Sequence, residues 1–375
     1  MTDPSRSSPR VPQGPSHAPI LIMAGGTGGH VFPALAVAQV LRERGVPVVW
    51  LGSQGGMESR LVPAHGFPIE WIRIAGIRGK GAAAWIFAPF RVAAAVAQAR
   101  AVLRRIAPSA VLGCGGFASG PGGIAAWLLR IPLIIHEQNA IAGFTNRWLA
   151  RVAVQVLEAF PGSFGPGVRS RRVGNPVRAD ISSLPPPRTR FAGRTGARRL
   201  LVLGGSQGAQ RLNSLVPQAL SLLEPASRPE VRHQTGARGL EAAAAAYRLA
   251  HIDAEVLPFI EDMAGAYGWA DLALCRAGAL TVSELQAAGL GALLVPFPAA
   301  VDDHQTRNGE SMLRGGAARI VQERDLDAAS LAALIGELTA DRPRLLVMAE
   351  AARAAATPDA AERVADFCMT AGAAA

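Results

Sequence analysis

The chain has 375 residues, half of them hydrophobic and 18% charged; this excludes a disordered polypeptide and exceeds what one hydrophobic core usually holds. Its formal net charge is +10, almost all from arginine, with Lys80 the only lysine. Arginine-favouring codon usage explains such an excess, as would nucleic acid, an anionic membrane or phosphorylated substrates; with no RNA-binding signature and no zinc spacing, no nucleic-acid partner is expected.

Residues 1–17 are rich in Ser, Pro and Arg without an apolar centre, which predicts a disordered tail and not a signal peptide. No uninterrupted apolar stretch approaches the ~20 residues that a spanning helix needs. From there on, short apolar runs alternate with helical patterns. Strands are predicted at Ile20–Met23, Val46–Leu51, Ala110–Leu112, Leu133–His136 and Val152–Leu157, then at Leu200–Leu203, Glu255–Leu257, Leu272–Cys275 and Ala292–Pro296. Continuous buried strands separated by helices indicate parallel sheets of the α/β class. Cys114, Cys275 and Cys368 lie far apart without CxxC spacing, which predicts neither disulfides nor zinc and fits a reducing compartment.

The segment IMAGGTGGH (22–30) is echoed by VLGGSQGAQ (202–210), about one domain length later. Between them SLPPPRTRFAGRTG (183–196) is rich in Pro and Gly and aperiodic. Two Rossmann-like domains facing an interdomain cleft are therefore predicted. Their bounds are 18–175 and 176–350, with a linker at about 176–198 and a C-terminal helical segment at 351–375.

The first glycine loop fails two familiar tests. The third glycine of G-x-G-x-x-G is missing, and VVWLGS (48–53) supplies no acid for a ribose, so a dinucleotide site is not expected. No Lys-Ser/Thr follows the glycines, so a P-loop is not expected either. What remains is a set of turns aimed at a cleft: 24–30, CGGFASGPGG (114–123), LGGSQG (203–208) and RAGALTVSEL (276–285). Free N–H groups and the helix dipole at such positions suit a diphosphate without metal. Adjacent Asp302 and Asp303 read as surface charge or capping, and no metal site is expected.

Among the polar residues, His30 stands where the first helix should begin. It is either a backbone-bonded helix-start residue or a base for a hydroxyl proton. HEQN (136–139) follows a buried strand, where four polar side chains need partners. Those partners are either a polyhydroxyl ligand or the loop itself. Glu284 is either a ribose ligand or an acid in a helix's first turn, and Phe259 either stacks on a base or fills the core. The stretch 76–91 mixes Trp85, Phe87 and Phe90 with Arg78 and Lys80, as a buried helix or a lipid contact would.

Taken in order, AGGTGGHVFPALA (24–36), GGFASGPGGIAAW (115–127), HEQNAIAGFTNRWLA (136–150), VGNPVR (173–178), LGGSQGAQRLN (203–213), RAGALTVSEL (276–285) and DDHQTRN (302–308) resemble the MurG family of bacterial cell-wall N-acetylglucosaminyltransferases. His304 departs from the family pattern, where some members carry glutamine. The resemblance implies a GT-B fold whose last helix crosses back to the N-terminal domain. It implies inverting transfer of GlcNAc from UDP-GlcNAc to the muramic acid 4-hydroxyl of undecaprenyl-diphosphate-MurNAc-pentapeptide (lipid I), giving lipid II, with no cofactor required. Peripheral attachment to the cytoplasmic face of the inner membrane follows, as does contact with other cell-wall and division proteins. By the same resemblance His30 is catalytic, while Thr27, Gly28, Gly29 and Asn139 lie on the sugar side of the donor. Arg178 and Ser206 hold the nucleotide, the Ile260 backbone reads uracil and Phe259 flanks it. Ala279, Leu280, Thr281, Val282, Ser283 and Glu284 hold phosphates and ribose, and Gln305 the GlcNAc hydroxyls. Arg78, Lys80, Trp85, Phe87 and Phe90 face acceptor or membrane. Other readings are another GT-B transferase, a UDP-GlcNAc 2-epimerase, or a silent nucleotide-sugar-binding partner.

Overall fold

The computed structural model describes residues 18–74, 88–205, 208–298, 300 and 303–374. The chain forms two parallel sheets. The first comprises β1 (Ile20–Met23), β2 (Val48–Ser53), β3 (Ile69–Ile72), β4 (Ala110–Gly113), β5 (Leu133–Glu137), β6 (Gln155–Glu158) and β7 (Arg171–Arg172), in the spatial order 3-2-1-4-5-6-7. The second comprises β8 (Arg199–Leu203), β9 (Glu230–Gln234), β10 (Ala254–Leu257), β11 (Leu272–Cys275), β12 (Ala292–Leu294) and β13 (Ala318–Ile320), in the order 10-9-8-11-12-13. Both sheets thus repeat the doubly wound order 3-2-1-4-5, in which ligands bind beyond the carboxyl ends of the strands at the switch point. This is the GT-B architecture.

Strands β1, β4, β5 and β11 are buried along their whole length, because helices cover both faces of a parallel sheet. That is why they read as continuous apolar runs. Strands β3, β7, β9 and β13 were not predicted. Three of them are sheet edges, and β9 (EVRHQ) breaks the apolar run with Arg232 and a buried His233. His233 is satisfied by Tyr247 and Asn213, and burial pushes it down to about 3. It is a neutral core residue.

Residues 176–198 are not a free tether. Helices Ala179–Ser182 and Pro187–Phe191 interrupt the segment, and its arginines are drawn into the C-terminal domain. Arg190 donates to the carbonyls of Tyr267, Ala288 and Gly289. Arg194 and Arg342 both reach Asp271, which is wholly buried. Part of the basic excess therefore caps backbone carbonyls inside the fold. The helix Arg342–Ala354 stays with the C-terminal domain, packed on the helix Ala279–Ala288, whereas Ala360–Ala373 lies against the helix Gly28–Glu43 and β4. The two chain crossings meet at Gly174, whose φ is +83° and where a Cβ would stand 2.5 Å from Thr357.

A candidate active site between two glycine-turn domains

On the N-terminal side, β1 ends at Met23 and the chain turns at Gly26, φ +85°, into the helix Gly28–Glu43. Thr27 is the exposed N-cap and makes no side-chain cap, so the first-turn N–H groups at Gly28 and Gly29 keep their donors. His30 is the third helical residue and faces the second glycine turn. A Cβ on Gly115 would lie 2.9 Å from its ring, and one on Gly116 would lie 2.4 Å from the Gly25 carbonyl. Both glycines have φ near +90°, so the two turns pack against each other only because neither carries a side chain. The Ser119 hydroxyl ties them, 2.7 Å from Gly115 O and 3.0 Å from Met23 O.

Sequence reasoning missed Glu58. Its side chain is fully buried, and Oε2 accepts from Gly26 N at 2.9 Å, while Oε1 accepts from the Ser53 hydroxyl at 2.9 Å and Ser53 N at 3.2 Å. Gly25 and Gly56 make room for it, since a Cβ at either would meet the carboxylate. The available signal was an acid at a helix start, two residues after the pair Gly55-Gly56. Glu58→Ala leaves buried donors unpaired, at ~1–3 kcal/mol for each. A lowered urea midpoint together with reduced turnover is expected; an unchanged midpoint contradicts this role.

The HEQN segment is largely tied to its own loop. Glu137 accepts from Asn139 N and Nδ2, Gly143 N and Asn146 Nδ2, all between 2.9 and 3.1 Å. His136 lies 2.9 Å from Gly174 O, and Gln138 bridges it to His30. The loop also reaches the other domain: Ala140 N donates to Asn308 Oδ1 at 2.8 Å. Asn308 is fully buried and also bonds Ala277 O. This interdomain clasp was not foreseen, because it joins residues 168 positions apart.

On the C-terminal side, β8 runs into Gly204 and Gly205, and Gly208 closes the turn by donating to Gly205 O. Ser206 lies outside the described residues. The helix Ala279–Ala288 starts at Gly278 with no side-chain cap, leaving the N–H groups of Ala279, Leu280 and Thr281 at an uncapped end. Val282 is core, and the Ser283 hydroxyl bonds back to Ala279 O. Glu284 sits in the second turn, not the first, so it is no dipole-favoured helix-start acid. Its Oε1 accepts from Arg178 at 3.3 Å and its Oε2 from the Tyr267 hydroxyl at 3.0 Å. Burial raises the Glu284 carboxyl above the usual range, opposed by Arg178 and Tyr267. Arg178 also lies 5.1 Å from the Phe32 ring of the facing domain, and its buried Nε has no partner among the described residues. Ile260 is buried, whereas Phe259 is 44% exposed and therefore not core. Gln305, on the helix His304–Arg314, accepts from Phe297 N.

Of the five residues expected at an acceptor or membrane face, Arg78, Lys80, Trp85 and Phe87 lie outside the described residues. Phe90 is exposed on the first turn of the helix Ala88–Ile106. The helix Ser119–Leu128 packs on that helix and exposes Trp127 and Leu128; Phe144–Leu149 packs on Ser119–Leu128 and exposes Phe144 and Trp148, with Arg151 stacked 4.1 Å over Trp148.

Residues 20–158 match the glycosyltransferase family 28 N-terminal domain, and residues 199–364 its C-terminal domain. A protein of Marinobacter nauticus named UDP-N-acetylglucosamine–N-acetylmuramyl-(pentapeptide) pyrophosphoryl-undecaprenol N-acetylglucosamine transferase is 59% identical, covering 94% of this chain and 97% of its own. One of the same name from Nitrosococcus oceani is 56% identical, covering 93% and 98%. The crystal structure of Acinetobacter baumannii MurG superposes with a TM-score of 0.81 at 43% identity, covering 94% of this chain and 99% of that one. With both domains matched in order and near-full-length relatives above half identity, the chain belongs to glycosyltransferase family 28.

Proposed function

We propose that this chain transfers N-acetylglucosamine from UDP-GlcNAc to the MurNAc 4-hydroxyl of undecaprenyl-diphosphate-MurNAc-pentapeptide, with inversion, converting lipid I to lipid II. One observation carries the reading. A histidine held against a glycine turn and an uncapped helix start with a buried carboxylate lie on two helices, one from each domain, that come into contact, in a chain 59% identical to a relative named for this transfer.

In this reading the donor lies mainly on the C-terminal domain. Glu284 accepts from the ribose hydroxyls, Arg178 and Ser206 hold the nucleotide, and the Ile260 backbone reads uracil beside Phe259. The first-turn N–H groups of Ala279–Thr281 receive the diphosphate. Thr27, Gly28, Gly29, Asn139 and Gln305 surround the sugar. His30 accepts the acceptor hydroxyl proton as the oxygen attacks the anomeric carbon. UDP departs from the opposite face, its developing charge met by preorganised dipoles. These donors stand in for a metal, so saturating chelator leaves turnover unchanged; chelator-dependent loss restored by a divalent cation contradicts the metal-free form. Incubation with UDP-GlcNAc alone separates transfer from epimerisation: the donor is recovered unaltered, and appearance of its 2-epimer overturns the reading.

The acceptor is anchored in lipid, and the exposed Phe144 and Trp148, edge to face on one helix with Arg151 over Trp148 and Arg147 exposed beside them, suit an anionic bilayer. Phe144→Ser/Trp148→Ser lowers binding to phosphatidylglycerol vesicles by about tenfold in sedimentation, consistent with ~1 kcal/mol or more from two interfacial aromatics. Unchanged vesicle binding removes this face from the proposal.

A further inference from the structure

We infer that Gln138 is a positioning residue that fixes the tautomer of His30, leaving its Nε2 lone pair free to take the acceptor proton. This rests on the proposed transfer reaction and adds to it a hydrogen-bond relay of assigned direction.

The relay is read from its far end. His136 Nε2 lies 2.9 Å from Gly174 O. A carbonyl only accepts, so that nitrogen carries hydrogen. His136 is buried, and burial lowers its affinity for a second proton, outweighing the Gly174 hydrogen bond and Glu137, which oppose it. It is therefore neutral, and its Nδ1 presents a lone pair. Gln138 Nε2 lies 3.2 Å from that Nδ1 and 3.3 Å from His136 O. Both are acceptors, so the amide nitrogen belongs on this side. The amide oxygen then faces His30 Nδ1 at 3.0 Å. An oxygen there needs a donor, which places hydrogen on His30 Nδ1; of the two neutral tautomers this selects the one whose lone pair is on Nε2.

Rotation is restrained too. The ring packs on Gly115, where even a Cβ would come within 2.9 Å. Glu137, the adjacent acid, does not substitute for Gln138: its oxygens accept from Asn139, Gly143 and Asn146. The relay thus holds the His30 ring through an uncharged amide. Gln138 is itself buried, so losing the bond leaves no water to restore it.

Histidine tautomers are read directly by multiple-bond 1H–15N correlation on protein labelled with 15N-histidine, the seven residues being assigned by single substitutions such as His30→Gln. The expected spectrum at neutral pH shows His30 with hydrogen on Nδ1 and His136 with hydrogen on Nε2. In Gln138→Met, which keeps length and removes the hydrogen bonds to both histidines, the His30 signal moves to the Nε2–H form that free imidazole side chains prefer. Turnover drops by about 10–100-fold, the scale of lost orienting partners, while calorimetric affinity for UDP stays within about twofold. A wild-type His30 protonated on Nε2, or Gln138→Met with native turnover, overturns the inference. A wild-type protein with the expected tautomers that transfers no GlcNAc overturns the proposed function instead, and the two failures are distinguishable.

Discussion

His30→Ala lowers kcat for GlcNAc transfer by about 10²–10⁴-fold, the usual contribution of a positioned general base, with calorimetric UDP affinity unchanged. The two readouts separate because His30 belongs to the N-terminal glycine turn, whereas the nucleotide groups in the proposed complex come from the C-terminal domain. The substitution also tests whether the histidine is merely structural. Among the described residues its one side-chain hydrogen-bond partner is Gln138 and it is half-buried, so truncation leaves one amide oxygen unpaired, a cost of ~1–3 kcal/mol. A folded variant with native melting and near-native kcat would assign His30 to loop geometry alone. Loss of UDP affinity in parallel with kcat would place the nucleotide against the wrong domain.

Glu284→Ala raises KM for UDP-GlcNAc, and Kd for UDP, by at least about 10²-fold. Hydrogen bonds to a charged acceptor contribute ~1.5–3 kcal/mol each, and two ribose hydroxyls are at stake. In the free protein each Glu284 oxygen already has one donor, Arg178 or Tyr267, so the carboxylate is oriented before ligand arrives. The pH dependence follows from its burial. In the proposed complex the ionised form accepts from both ribose hydroxyls, so affinity is full above the carboxyl's titration range and falls as pH drops through it. Because burial raises that range, the loss begins at a higher pH than for an exposed glutamate. Glu284→Gln removes this pH dependence while keeping one acceptor oxygen. UDP affinity that is unaffected by Glu284→Ala would contradict the assignment.

The features legible in the sequence are those written in consecutive residues. The runs ILIM and RLLVL are both central strands ending in glycine turns, and their echo follows from two domains wound in the same order. Edge strands such as Ile69–Ile72 and Arg171–Arg172 were silent because an edge carries fewer buried positions. Residues whose role is set by distant partners were equally silent. Glu58 reads as an ordinary helix-start acid until Gly25 and Gly26, more than thirty positions earlier, are found folded over its carboxylate. Asn308 reads as one polar residue among several until it clasps Ala140 across the cleft. For HEQN, chemistry alone left ligand binding and loop pinning open. The geometry gives Glu137 to the loop, His136 to the Gly174 carbonyl, and Gln138 to the two histidines. Glu284 was ambiguous because sequence does not mark where a helix begins closely enough to tell its first turn from its second.

The central claim is the transfer itself, and the most direct measurement supplies the purified full chain with radiolabelled UDP-GlcNAc and a lipid I analogue. The predicted result is one labelled product carrying a β-(1→4)-linked GlcNAc on MurNAc, released with one equivalent of UDP. Unchanged lipid I after prolonged incubation with folded, UDP-binding protein, or a product with retained α-configuration, would contradict the account.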